Sequence, residues 1–134
     1  STNLLVRDSA DTTRLSVAND GTFKMDSGYG SAATAYGCRA WVKFNGTGTV
    51  AINGSANVSS ITDRGTGSYT VNFSTSMPDA NYSTSTSANF SGTGGWGSIE
   101  DNTALYTSSS VGVEFVDRNG GTYDPSIFCV SIFR

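Results

Sequence analysis

Residues 38–82, CRAWVKFNGTGTVAINGSANVSSITDRGTGSYTVNFSTSMPDANY, hold two strand pairs back to back. Arg39 to Phe44 and Thr49 to Asn53 are β-branched and aromatic runs joined by Asn45, Gly46, Thr47 and Gly48, residues that accept the positive φ of a tight hairpin. The device recurs at once. Val58 to Asp63 and Ser68 to Ser74 flank Gly65, Thr66 and Gly67, and Tyr69, Val71 and Phe73 alternate with Thr70 and Asn72, the period of a half-buried strand. Downstream, Tyr82 to Ala88 and Val111 to Val116 read as strands, with weaker candidates at Ser98 to Glu100 and Ala104 to Thr107. Asp117 to Gly121 forms a turn before the last strand. The reading is an all-β, antiparallel β-sandwich over 38–134 with a short N-terminal β extension over 1–37 and no amphipathic helix.

In the last strand Phe128, Val130 and Ile132 point one way, and Ile127, Cys129 and Phe133 the other. Both faces are apolar, so both are expected to be buried, one in the sandwich and one against a loop, a second sheet or a partner chain. Residues 1–37 hold only three short strands, with few large apolar residues, and a Gly- and Ala-rich stretch from Asp26 to Gly37. Such a segment cannot build a core alone. It either ends a shaft completed by neighbouring subunits or packs on the main domain.

Composition narrows the function classes. The chain has 134 residues, 37% hydrophobic and 14% charged, with net charge −3 and 11% aromatic residues, so low hydrophobicity reflects a Ser-, Thr-, Asn- and Gly-covered surface rather than disorder. Lys and Arg are scattered singly, without the basic cluster that nucleic acid requires. No apolar run approaches the ~20 residues of a membrane span, and STNLLVRDSADTTR lacks the regions of a signal peptide, although an upstream leader or shaft is compatible with this start.

The 36–83 stretch, together with SIFCVSIFR at 126–134, resembles the C-terminal receptor-binding region of bacteriophage tail fibres, especially those of marine and cyanobacterial phages. That resemblance implies a homotrimer in the virion, assembled in the host cytoplasm, that binds a bacterial surface glycan or outer-membrane protein without chemistry. A bacterial adhesin or secreted carbohydrate-binding module is the alternative, and a glycan-degrading tailspike a further one. Cys38 and Cys129 lie outside any CxxC spacing and read as small buried hydrophobes, with a disulfide the competing assignment. A reducing cytoplasm favours the free thiols.

The chain has no histidine, which removes His-based triads, HExxH zinc sites and His general bases. Neither an enzyme, a cofactor nor a metal is expected. Glu100, Asp101, Glu114 and Asp117 could supply the pair of a two-carboxylate glycosidase, and Asp117, Asn119 and Asp124 echo a calcium loop without its bidentate Glu. Both patterns read better as solvated strand residues and a turn. Residues 84–125 match nothing in the resemblance and combine loop composition with aromatic side chains, so the receptor site is placed there. Trp96, Tyr106 and Tyr123 are the expected contacts, with Asn89, Asp101 and Arg118 as polar partners. Trp96, in SGTGGWGS, is read as a loop residue, either an anchor packed on the domain or an exposed stacking platform. Trp41 shares a strand face with Arg39 and Lys43 and reads as a boundary residue between subunits.

Overall fold

The computed structural model describes residues 4–89, 95–99, 105–117 and 119–134, and the chain divides into two compact units at Gly37/Cys38. The first unit is an antiparallel meander of four strands, β1 (Leu4–Arg7), β2 (Thr13–Val17), β3 (Phe23–Met25) and β4 (Ala33–Thr34), one more than the sequence suggested. Charge geometry ties it together. Asp8 Oδ1 accepts the backbone N–H groups of Ala10 and Thr12 at 2.9 Å each, its Oδ2 accepts Arg14, and Arg14 also bonds Asp26. These contacts hold both carboxyls below the usual range, Asp8 chiefly through Thr12 N–H and then Arg14, Asp26 chiefly through Gly28 N–H and then Arg14. No described residue of this unit is buried, and Leu4, Val6, Met25 and Tyr29 are exposed.

The second unit is the sandwich. One sheet has the order β10 (Gly95–Ile99), β11 (Ser110–Asp117), β8 (Ser68–Phe73), β7 (Val58–Gly65); the other has β6 (Ala51–Ala56), β5 (Cys38–Asn45), β12 (Phe128–Phe133), β9 (Ser83–Ala88). Every pairing is antiparallel. Alternate residues of β5, β8, β11 and β12 supply the core: Val42 and Phe44, Tyr69 and Val71, Val111 to Phe115, Phe128 to Ile132. At its centre Phe44, Tyr69 and Phe128 pack edge-on or tilted, with centroids 5.0–6.1 Å apart. There is no α-helix among the described residues, as the strand and turn pattern requires.

Two corners turn the chain between sheets. Asn57, between β6 and β7, sits at φ 54°, and its side chain donates to the carbonyls of Arg39 and Thr75 and accepts Thr75 N–H at 2.7 Å. A short amide side chain that bonds locally is one of the few able to hold such a backbone. At the second corner Tyr82 stacks on Tyr106 at 4.3 Å, while its hydroxyl reaches the carbonyls of Thr107 (2.8 Å) and Ser110 (2.9 Å).

Several local expectations change. The second hairpin strand starts at Ala51 rather than Thr49, because Asn45 Oδ1 caps Thr47 N–H and lengthens the turn. Cys38 is exposed, not buried, since it opens β5 at the strand's end, where the register with β12 is irregular. A Cys38–Cys129 bond is excluded by register: Cys129 pairs with Lys43, five residues from Cys38, or ~17 Å along the strand. On the outward face of β12, flanked by Lys43 of β5 and the β9 serines, Cys129 and Ser131 are partly buried while Phe133 stays 40% exposed. Ile127, just before the strand, also stays exposed on that face.

Two measurements check this fold. Asn57→Ala loses three bonds in a left-handed backbone position and is expected to cost about 2–3 kcal/mol in urea unfolding, with Asn57→Gly recovering part of it. Thiol titration of the native protein is expected to find two free thiols, Cys38 reacting first; a band shifted by an intrachain disulfide on a non-reducing gel would contradict the register.

Candidate functional site

The sandwich has two ends. β5 begins at Cys38 and runs to Asn45, so the turns after β5, β7 and β11, together with Trp96 and the 122–127 connection, all lie at the end remote from Cys38. This distal end is closed by one carboxylate. Asp124 Oδ1 accepts the Tyr69 hydroxyl at 2.7 Å and Gly67 N–H at 2.7 Å, and Thr47 Oγ1 donates to the Asp124 carbonyl at 3.2 Å. Gly46 N–H donates to the carbonyl of Pro125, a fully buried residue, at 2.9 Å. Both glycines are obligatory. A Cβ at Gly46 would lie 2.2 Å from the Tyr69 hydroxyl oxygen, and one at Gly67 (φ 72°) would lie 2.8 Å from three backbone atoms of Phe115 and Tyr123.

The neighbouring turn is equally fixed. Asp117, 5% exposed, accepts the N–H groups of Asn119 and Gly121 at 2.8 and 2.7 Å, so it serves a turn rather than a cation. Asn89 Oδ1 accepts Ile127 N–H at 2.7 Å and its Nδ2 donates to Ser126 Oγ at 3.0 Å, which pins the end of β9 to the start of β12.

On this scaffold Trp96 is 54% exposed and Tyr123 is 45% exposed. Trp96 lies in β10, not in a loop: it pairs with Val116, and Val116 bridges to Thr122 on its other side. Sequence reading reached only its end, in the weak candidate that starts at Ser98, because the glycines of this edge strand hid the rest. The row Trp96, Val116, Thr122 faces outward, since the intervening Phe115 fills the core. Thr122 was missed by sequence reasoning, and the alternation of β11 was the signal for its row. Tyr123 is one residue out of line with that row, at the rim of the same end.

The remaining expected contacts separate. Tyr106 bridges to Val111, five residues down β11 from Val116, so it lies ~17 Å from Trp96 along the strand. Its ring is stacked on Tyr82 and its hydroxyl bonds the Tyr82 carbonyl and Thr84 Oγ1, contacts that commit it to the proximal corner. Asn89 is at the distal end, with its amide already engaged. Asp101 and Arg118 lie outside the described residues. Among the described residues no three His, Cys, Asp or Glu side chains gather in a metal-binding group. Asp117 and Asp124 thus hold backbone and phenol donors, and the same end exposes the Trp96 and Tyr123 rings.

No family model and no curated protein matches the chain. A solved structure is similar in fold: the phiAB6 tailspike, in complex with three-repeated oligosaccharides of Acinetobacter baumannii surface polysaccharide, at TM-score 0.61 and 17% identity over 98% of this chain and 27% of the tailspike chain. The chain therefore spans about a quarter of that protein, and the likeness is one of architecture.

Burial, and for Tyr69 also the Asp124 carboxylate, raises the Tyr69 and Tyr82 phenols above their ordinary 10.0. A phenol whose folded value exceeds its unfolded value keeps its proton longer in the native state, so that contribution is present below pH 10 and lost as pH rises beyond it. Stability in urea is expected to fall from about pH 10 upward. Tyr69→Phe is expected to flatten part of that slope while lowering stability at neutral pH.

Proposed function

We propose that this chain is the receptor-binding part of a bacteriophage tail protein, and that the distal end of its sandwich holds a bacterial surface polysaccharide without cleaving it. The observation that carries the reading is the pair of exposed aromatic residues, Trp96 and Tyr123, on an end of the domain locked by Asp124, Asp117 and Asn89. A ring held still on a rigid frame contributes stacking area at little entropic cost, the usual economy of a sugar or antibody contact. The fold likeness to a tailspike solved with surface oligosaccharides supports the same ligand class. The sequence resemblance is to tail fibres, especially those of marine and cyanobacterial phages.

The protein then belongs to the virion tail after assembly in the host cytoplasm, as a homotrimer. Residues 4–37 are the better trimer contact, because that unit has no buried residue yet exposes Leu4, Val6 and Met25. A single distal site would be weak, and three copies on one tip add avidity of ~100-fold or more.

Trp96→Ala with Tyr123→Ala is expected to reduce adsorption to host cells at least tenfold with an unchanged melting temperature. Tyr106→Phe is expected to do the reverse, lowering melting and sparing adsorption. Incubation with host polysaccharide should release no new reducing ends; their appearance would replace the binding reading with a degrading one.

A further inference from the structure

The opposite broad face of the sandwich has its own chemistry. Strands β6, β5, β12 and β9 contain Arg39 and Lys43 and no Asp or Glu, although the whole chain carries net charge −3. Both cations are exposed on the outward side of β5, and neither makes an ion pair with a described residue. Trp41 stands between them, 41% exposed. Its indole leans diagonally over β6 to Gly54, where a Cβ would sit 3.4 Å from Cη2 and 3.6 Å from Cζ3. Gly54 is the residue paired with Lys43, so the ring reaches the rung of the sheet from which Lys43 projects.

The flanks of the ring are low. On the rung of Trp41 its neighbours are Ala56 on one side and Ser131, then Ser85, on the other. Small side chains on that rung leave the outer face of the indole open to a flat ligand, with Ser131 on the β12 side of Trp41. A pyranose ring offers C–H groups that the negative face of an indole attracts, and a carboxylate on that sugar would meet Lys43 or Arg39 within one or two residues of strand, ~7 Å. We propose that this face is a second saccharide site, specific for carboxylate-bearing sugars, with Trp41 as the stacking platform and Lys43 and Arg39 as the carboxylate partners.

A second copy of the chain is the competing occupant. Face-to-face pairing about a twofold axis would bring Arg39 and Lys43 against their own copies with no acid between them, which electrostatics opposes. An anionic glycan has no such conflict.

The test uses the intact chain and a panel of acidic oligosaccharides: oligogalacturonate, alginate oligomers and oligosialic acid, each beside its carboxyl methyl ester. Binding is followed by calorimetry and tryptophan fluorescence, with light scattering in parallel. At least one acid is expected to bind, at least tenfold tighter than its ester, and more weakly as salt rises. Lys43→Gln and Trp41→Ala are each expected to weaken that binding about tenfold. Lys43→Arg and Trp41→Phe should restore most of it. Circular dichroism would confirm that the variants keep the fold. Equal binding of acid and ester, silence of all three acids at 10 mM, or a copy-to-copy contact that Trp41→Ala dissociates, would each overturn the proposal.

Discussion

The Asp124 carboxylate is the constraint on which the distal end depends. One oxygen takes a phenol that belongs to the core and a backbone N–H that belongs to a turn, and so joins the interior packing to the surface connection between β11 and β12. A buried phenol without an acceptor would cost about 1–3 kcal/mol, and a charged acceptor is among the stronger ones available. The same bond explains the two glycines around it, because the Tyr69 hydroxyl occupies the volume that a Gly46 side chain would need, and the Phe115 and Tyr123 backbones crowd Gly67. Turn composition, core aromatic and connecting loop are therefore one design decision seen at three places in the chain.

A stiff end presents its side chains without a further ordering cost. Loops that must order on contact subtract from affinity, whereas residues 122–127 are already held by bonds from Gly46, Thr47, Gly67, Tyr69 and Asn89. The two units differ in this respect. The sandwich has a continuous apolar core, while residues 4–37 have no buried residue and are joined by the Asp8, Arg14 and Asp26 cluster, whose arginine is half exposed.

The strands with a clear hydrophobic period were legible from residues alone. Tyr69, Val71 and Phe73 alternate in β8, and the hairpins around Gly46 to Gly48 and Gly65 to Gly67 carry local turn chemistry. What depended on partners distant in sequence was not legible. Tyr106 looked like any aromatic in a polar stretch, but its stacking partner Tyr82 lies 24 residues earlier; Asp124 looked like a turn residue, but its phenol donor lies 55 residues earlier. Trp96 was misplaced for another reason, since an edge strand with glycines on either side has no internal period to read. For Cys38 the residue type suggested burial, and its place at the start of a strand decided otherwise.

The polarity of the sandwich has a mechanical consequence. The chain enters at Cys38 and the locked end lies at the far side of every strand, so a load applied between the two runs along the strands, not across the sheet. Antiparallel ladder bonds lie perpendicular to the strands, and such a load stretches the whole β5–β12 ladder at once instead of opening its bonds one after another. A pull between Cys38 and the distal face therefore meets the full set of β5–β12 bonds together, and the domain resists extension most strongly along its own strands.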